Sequence, residues 1–134
     1  MSIDDEDPAH TTGDLVERFT NIHPRNPLYL HPSDTPGCIL IPQQLTGTEN
    51  YTAWSNSMKV ALLTKNKLGF INGSCRKEHY KEDLVHECDR CNVFVLSWIT
   101  NSVSWELGNG LMYSSNAHKV GVDLKEHFDK RNLT

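Results

Sequence analysis

The chain lacks a basic excess: its 134 residues carry 13 Lys and Arg against 17 Asp and Glu, for a formal net charge of -4. A protein that grips nucleic acid by the backbone normally shows surplus Lys and Arg, because phosphate neutralisation supplies most of the affinity. The acidic run Asp4, Asp5, Glu6 and Asp7 accounts for the whole net charge, so the remainder is balanced. Long apolar runs are also missing. No stretch approaches the ~18 residues of a spanning helix, and no basic segment followed by an apolar one opens the chain, so neither a membrane span nor a signal peptide is expected. The expected location is the reducing cytoplasm, where the glycosylation patterns at Asn50, Asn72 and Asn132 carry no weight. No Gly-rich phosphate loop, Gly-x-Ser-x-Gly elbow or His-Glu-x-x-His pair is present, and the chain is read as a non-enzyme with no cofactor.

What is present divides in two. Residues 1–25 hold Asp, Glu, Thr, His and Pro with few large apolar side chains, and are read as a disordered acidic tail. Residues 26–134 are read as one domain, mainly α: a small capsid-like helical bundle preceded by an extended arm or short β-hairpin. Asn26 to His31 reads as extended, Pro32 to Gly37 as a turn, and Cys38 to Ile41 as a short strand ended by Pro42. Thr46-Gly-Thr-Glu49 offers a capping box, with Thr48 and Asn50 as competing caps. Tyr51, Trp54, Met58, Ala61, Leu62 and Lys65 then recur at helical spacing, with Ser55, Asn56, Ser57 and Lys59 on the far side, and Gly69 ends the run. A central helix is expected from about Lys81 to Leu107, with a break near Asn101 and a stop at Gly108-Asn109-Gly110. Within it Val93 to Ile99, taken alone, would also suit a buried strand. The last helix starts at Ser115 or Asn116 and presents Ala117, Gly121, Leu124 and Phe128 on one stripe.

Several residues could carry chemistry. Cys38, Cys75, Cys88 and Cys91 are the four cysteines, and Cys88-x-x-Cys91 near His79 and His86 resembles a zinc site. The helical spacing already explains Cys88 and Cys91 as packed thiols, and the knuckle pattern Cys-x2-Cys-x4-His fails at Leu96, so no metal ligands are assigned. Asp34-Thr35-Pro36-Gly37 comes close to the Asp-Thr-Gly of aspartic proteases, but Pro36 interrupts it and makes a turn the better reading, with Asp34 accepting a local backbone hydrogen bond. Trp54 and Trp98 fall on core stripes. Trp105, beside Leu107, Leu111 and Met112, is a candidate subunit contact. Lys59, Lys65, Lys67, Arg76 and Lys77 form the one basic cluster, read as a solvated helix end rather than an RNA site.

Leu45, Gly47, Asn50, Tyr51, Trp54, Met58, Ala61 and Leu62, followed by Lys65-Asn66-Lys67-Leu68-Gly69-Phe70-Ile71 and Gly73, resemble the Gag N-terminal region of plant copia-type LTR retrotransposons, the copia-like N-terminal domain. Asn26 to Asp34 with Pro36-Gly37 upstream, and Cys91-Asn92, Leu96 to Ile99 and Ala117 to Lys125 downstream, extend the resemblance over roughly residues 26–131. It implies a structural protein: a capsid-type helical lobe that self-associates or binds related Gag chains, packages retrotransposon RNA, and carries no catalytic residues. The alternatives are a domesticated host adaptor or assembly inhibitor and, behind these, a zinc-dependent nucleic-acid module.

Two departures stand out. Gly121 occupies the place where the family pattern usually has Trp, so a core shaped for Trp would lose ~3 to 5 kcal/mol, with ~1 kcal/mol more for Gly inside a helix. Gly121→Trp is therefore expected to raise the melting temperature. The sequence also ends at Thr134, before a second lobe, zinc knuckle, protease, integrase or polymerase, so autonomous transposition is not expected; a relict, a fragment and a host-derived protein all fit.

Overall fold

The computed structural model describes residues 22–111 and 114–130, and these are mainly helical. The expected acidic tail at 1–25 lies outside the described residues except for Ile22 to Arg25. Among the described residues the α-helices are α1 (Tyr51–Thr64), α2 (Gly69–Asn72), α3 (Glu82–Thr100), α4 (Trp105–Leu111) and α5 (Ala117–Phe128), with single 3-10 turns at Thr48–Asn50 and Lys77–His79. No helix is long and apolar enough to cross a membrane among them.

Asn50 stands at the start of α1. Its Oδ1 accepts from the N–H groups of Thr46 (3.0 Å) and Gly47 (3.3 Å), and its Nδ2 donates to the Gln44 carbonyl (2.9 Å), so one amide holds the whole entering turn. The end of α1 comes earlier than the expected Gly69. Asn66 adopts φ 58°, the left-handed region that Asn tolerates better than bulkier residues. The Lys67 N–H reaches back to Leu62 O (2.7 Å) and the Asn66 N–H to Leu63 O (2.9 Å), a Schellman closure that satisfies carbonyls the helix would otherwise leave bare. Gly69 instead opens α2, which Gly73 closes at φ 87°.

α3 runs unbroken through Val93 to Ile99, so the apolar stretch that could have been a strand is helical. Its end at Thr100 has a specific cause. The Ser102 carbonyl accepts from the Leu45 N–H (2.8 Å) and from Trp54 Nε1 (2.8 Å), and the Ser104 N–H donates to Leu45 O (3.0 Å). These bonds make the isolated parallel bridge between Leu45 and Val103 and divert backbone groups that a continuing helix would use. α4 then starts behind Ser104, whose Oγ accepts from the Leu107 N–H at 3.4 Å. Gly108, Asn109 and Gly110 were expected to stop the preceding helix, yet they lie inside α4: the Gly108 N–H bonds Ser104 O at 2.9 Å and carries the helical ladder forward.

The segment before α1 contains no strand among the described residues, so the expected strand at Cys38–Ile41 and the hairpin alternative are both corrected. Successive turns consume the backbone donors instead, with bonds from Asn26 N–H to His23 O, Tyr29 to Asn26, Asp34 to His31 and Cys38 to Thr35, at 2.8 to 3.2 Å. Leu28, Ile41 and Leu45 from this segment are buried with Trp54, Met58 and Leu62 of α1, Cys91, Val95, Trp98 and Ile99 of α3, and Val120, Leu124 and Phe128 of α5. Each such large apolar side chain contributes roughly 1.5–3 kcal/mol on burial. The irregular segment is therefore a part of the core and not an appendage to it.

Candidate functional site

The residues at the end of α1 close a polar clasp over residues 25–38. Lys65 Nζ pairs with Asp34 and lies 5.6 Å from the centre of the Trp98 ring. Asn66 Nδ2 donates to Arg25 O at 2.7 Å, and Lys67 Nζ donates to Tyr29 O. From the other side α3 supplies Cys91 Sγ to Leu28 O (3.2 Å), Trp98 Nε1 to Thr35 O (2.8 Å), and Asn101 Nδ2 to Pro36 O (3.0 Å) and Cys38 O (3.1 Å). A turn segment that makes no ladder bonds thus has its carbonyls satisfied by side chains, as burial demands. Asp34 also accepts from the His31 N–H at 2.9 Å, which is the turn role its sequence context predicts.

Lys67 corrects the reading of a solvated basic cluster. It is only 1% exposed, because the Schellman turn aims it under the arm, and burial pulls its pKa below the ordinary 10.5 by disfavouring the ammonium. With Lys67 buried, Lys65 bound to Asp34 and Arg76 Nε donating to Gly73 O, the cluster does not present one free basic stripe.

Cys75 and Cys88 line one hollow beside α3, and Cys38 belongs to the arm. Cys88 and Cys91 face the core, and burial pushes their thiols up to about 11 and about 12. Cys75 Sγ lies 3.3 Å from the Tyr80 hydroxyl, and Cys38 lies 3.2 Å from Thr35 Oγ1, whose hydrogen bond lowers its pKa. Among the described residues no three His, Cys, Asp or Glu side chains gather as a metal-holding group.

A second set of bonds ties α5 to the body. Asn92 Oδ1 accepts from the Ala117 N–H (2.9 Å) while its Nδ2 donates to Ser115 O (2.6 Å), the His118 ring bonds Ile71 O (2.6 Å), and Asn116 Oδ1 caps α5 through the Lys119 N–H (3.0 Å). Asn92 went unassigned in the sequence; the available signal was a lone Asn inside the most apolar stretch of the chain.

Between α1 and α5 the packing opens into an apolar groove of about 320 Å³, lined by Trp54, Met58, Leu62, Val122 and Leu124 with Gly121 among them and Lys59 and Lys125 at its edge. Ser55, expected on the polar side of α1, is buried here. A Cβ added at Gly121 would lie 3.0 Å from Ile71 Cγ2, so the missing side chain lets α5 approach α2 closely, and the open volume lies alongside. Of the three tryptophans, Trp54 and Trp98 are buried, whereas Trp105 is 78% exposed at the start of α4. The side chains of Leu111 and Met112, its expected neighbours, lie outside the described residues.

No curated protein and no solved structure matches the chain. Residues 31–77 match the family model described as Gag-polypeptide of LTR copia-type. The matched stretch holds Asp34, α1, α2 and the Lys65-Asn66-Lys67 corner, which is the lysine side of the clasp. Gag is a structural component of such elements and not an enzyme of theirs. Over residues 31–77, therefore, the chain is similar to the Gag polypeptide of copia-type LTR elements.

Proposed function

We propose that this chain is a structural and interaction protein: a Gag-like helical domain over residues 26–134, a capsid-type bundle with a preceding arm, that self-associates or binds related Gag chains in particle assembly. The observation that carries this reading is the match over residues 31–77, which falls on the segment where arm, α1 and α2 are bonded into one unit. Exposed apolar side chains on the helices, Val60, Leu63 and Val93 together with Trp105, supply surface of the kind assembly contacts use. Packaged RNA would be touched only weakly by this domain, since the balanced charge and the burial of Lys67 leave little free basic surface. The site of action is the cytoplasm, and the activity needs no metal or cofactor.

Light scattering coupled to size exclusion over a range of concentrations, with absorbance read at protein and nucleic-acid wavelengths, tests this. Mass that rises with concentration is expected; a monomer at every concentration that also fails to bind a full-length copia-type Gag would contradict it. Binding to full-length Gag that lowers particle yield would instead favour the assembly-inhibitor role.

A further inference from the structure

We propose that the groove at Gly121 receives Trp105 of a second copy of this chain. The inference rests on the self-association reading and names the contact that would carry it. The groove is an apolar hollow of about 320 Å³, at the low end of the ~300–1,000 Å³ of ligand-sized clefts, so it takes one large side chain and not a length of polypeptide. Among the described residues the chain displays one large exposed aromatic: Trp105, 78% exposed on a short helix, while the other two indoles are buried and hydrogen bonded to Ser102 O and Thr35 O. Tryptophan is the side chain most often found anchoring an interface when it fills a pocket on the partner.

Charge supports the same pairing. Lys59 and Lys125 border the groove and are exposed, and Glu106, next to Trp105 and also exposed, would come to that border as the indole enters. Knob and hole lie on different elements, α4 on one side and α1 with α5 on the other. Each copy therefore offers one of each: reciprocal exchange closes a dimer, sequential exchange extends a chain, and both use the same contact.

The test uses the full chain and two variants, Trp105→Ala, which removes the knob, and Val122→Lys, which places a third cation in the hole. Both positions are at the surface, and circular dichroism checks that each variant keeps its helices. Sedimentation velocity should show the parent associating and each variant alone weakened by about thirtyfold or more, the scale of an interface anchor. The informative sample is the mixture. Trp105→Ala keeps the hole and Val122→Lys keeps the knob, so together they should form a one-to-one pair that neither makes alone. If Trp105→Ala associates as the parent does, or the mixture fails to pair, the contact is wrong while self-association stands. If the parent itself never associates, the self-association reading falls along with it. Acrylamide quenching of the parent needs no variant: Trp105 is the exposed indole, so quenching should fall as concentration rises, and quenching that stays constant through association would overturn the proposal.

Discussion

The two faces of α1 have been finished differently. At its carboxyl end, Lys65, Asn66 and Lys67 are each committed to a named partner in the arm, and Trp98 and Asn101 complete the enclosure from α3. Along its other face, between Trp54 and Leu62, the side chains meet α5 without a polar bond in the groove's apolar wall and leave open volume at Gly121. Polar bonds in a buried setting are directional and costly to leave unmade, so the clasp defines one arrangement of the arm. Apolar contact is tolerant of what fills it, so the groove can accept another surface. The first face serves folding, and the second is the one proposed for association.

The largest separation between the faces should come from the tryptophans. Trp98→Ala removes a fully buried indole together with its bond to Thr35 O, and should cost about 3–5 kcal/mol in urea denaturation, whereas Trp105→Ala should stay within about 0.5 kcal/mol. Equal losses would erase the distinction. The lysines give the same contrast at lower amplitude. Lys67→Ala leaves the Tyr29 carbonyl without its side-chain donor and should cost about 2–4 kcal/mol with faster proteolysis of the arm, while Lys59→Ala at the groove edge should cost less than about 0.5 kcal/mol.

Much of this contrast could be read before the structure, but not all of it. The stripe Tyr51, Trp54, Met58 and Leu62 and the helical reading of Val93–Ile99 follow from local periodicity, which sequence reports directly. The helix stops do not. Asn66 ends α1 because Leu62 and Leu63 carbonyls find donors there, and α4 survives Gly108 and Gly110 because Ser104 starts it. Lys67 was misread because a lysine near a helix end is usually solvated; only the three-dimensional position of Tyr29 reveals why this one is not. The absent strand at Cys38–Ile41 has a like cause, since Asn101 and Trp98 satisfy the arm from a distance of more than sixty residues in sequence.

Two smaller effects sharpen the comparison. Gly121→Trp should raise the melting temperature, by roughly 0.5–2 kcal/mol in stability, because the groove accepts the ring and Gly is a poor helix former. Ile71 borders the same groove and must shift a few tenths of an ångström to admit the Cβ, so an unchanged or lower melting temperature would mean that close approach at Gly121 outweighs the unfilled volume. Near neutral pH the cysteines should add no pH dependence to stability, and above pH 9 they should. Burial lifts Cys88 and Cys91 from the ordinary 9.0 to about 11 and about 12, so the folded chain keeps protons that the unfolded chain loses, and their contribution is complete below pH 9 and drains away as pH climbs through 11 to 12. Lys67 acts in the opposite sense, because its lowered value lets the folded chain shed that proton first and regain stability as pH approaches 10.5. The melting-temperature difference between the parent and Cys91→Val isolates the thiol: it should be constant below pH 9 and shift against the parent above it, and a flat difference throughout would contradict the assignment.

Hydrogen exchange followed by mass spectrometry at low and high protein concentration tests the division of faces most directly. Leu28 is buried in the core and side-chain bonds hold the arm to the body, so peptides over residues 26–38 should show protection that does not change with concentration, while α4 and the α1 and α5 walls of the groove should gain protection only at the higher one. An arm that exchanges freely, or a groove whose protection is indifferent to concentration while the arm responds, would contradict it.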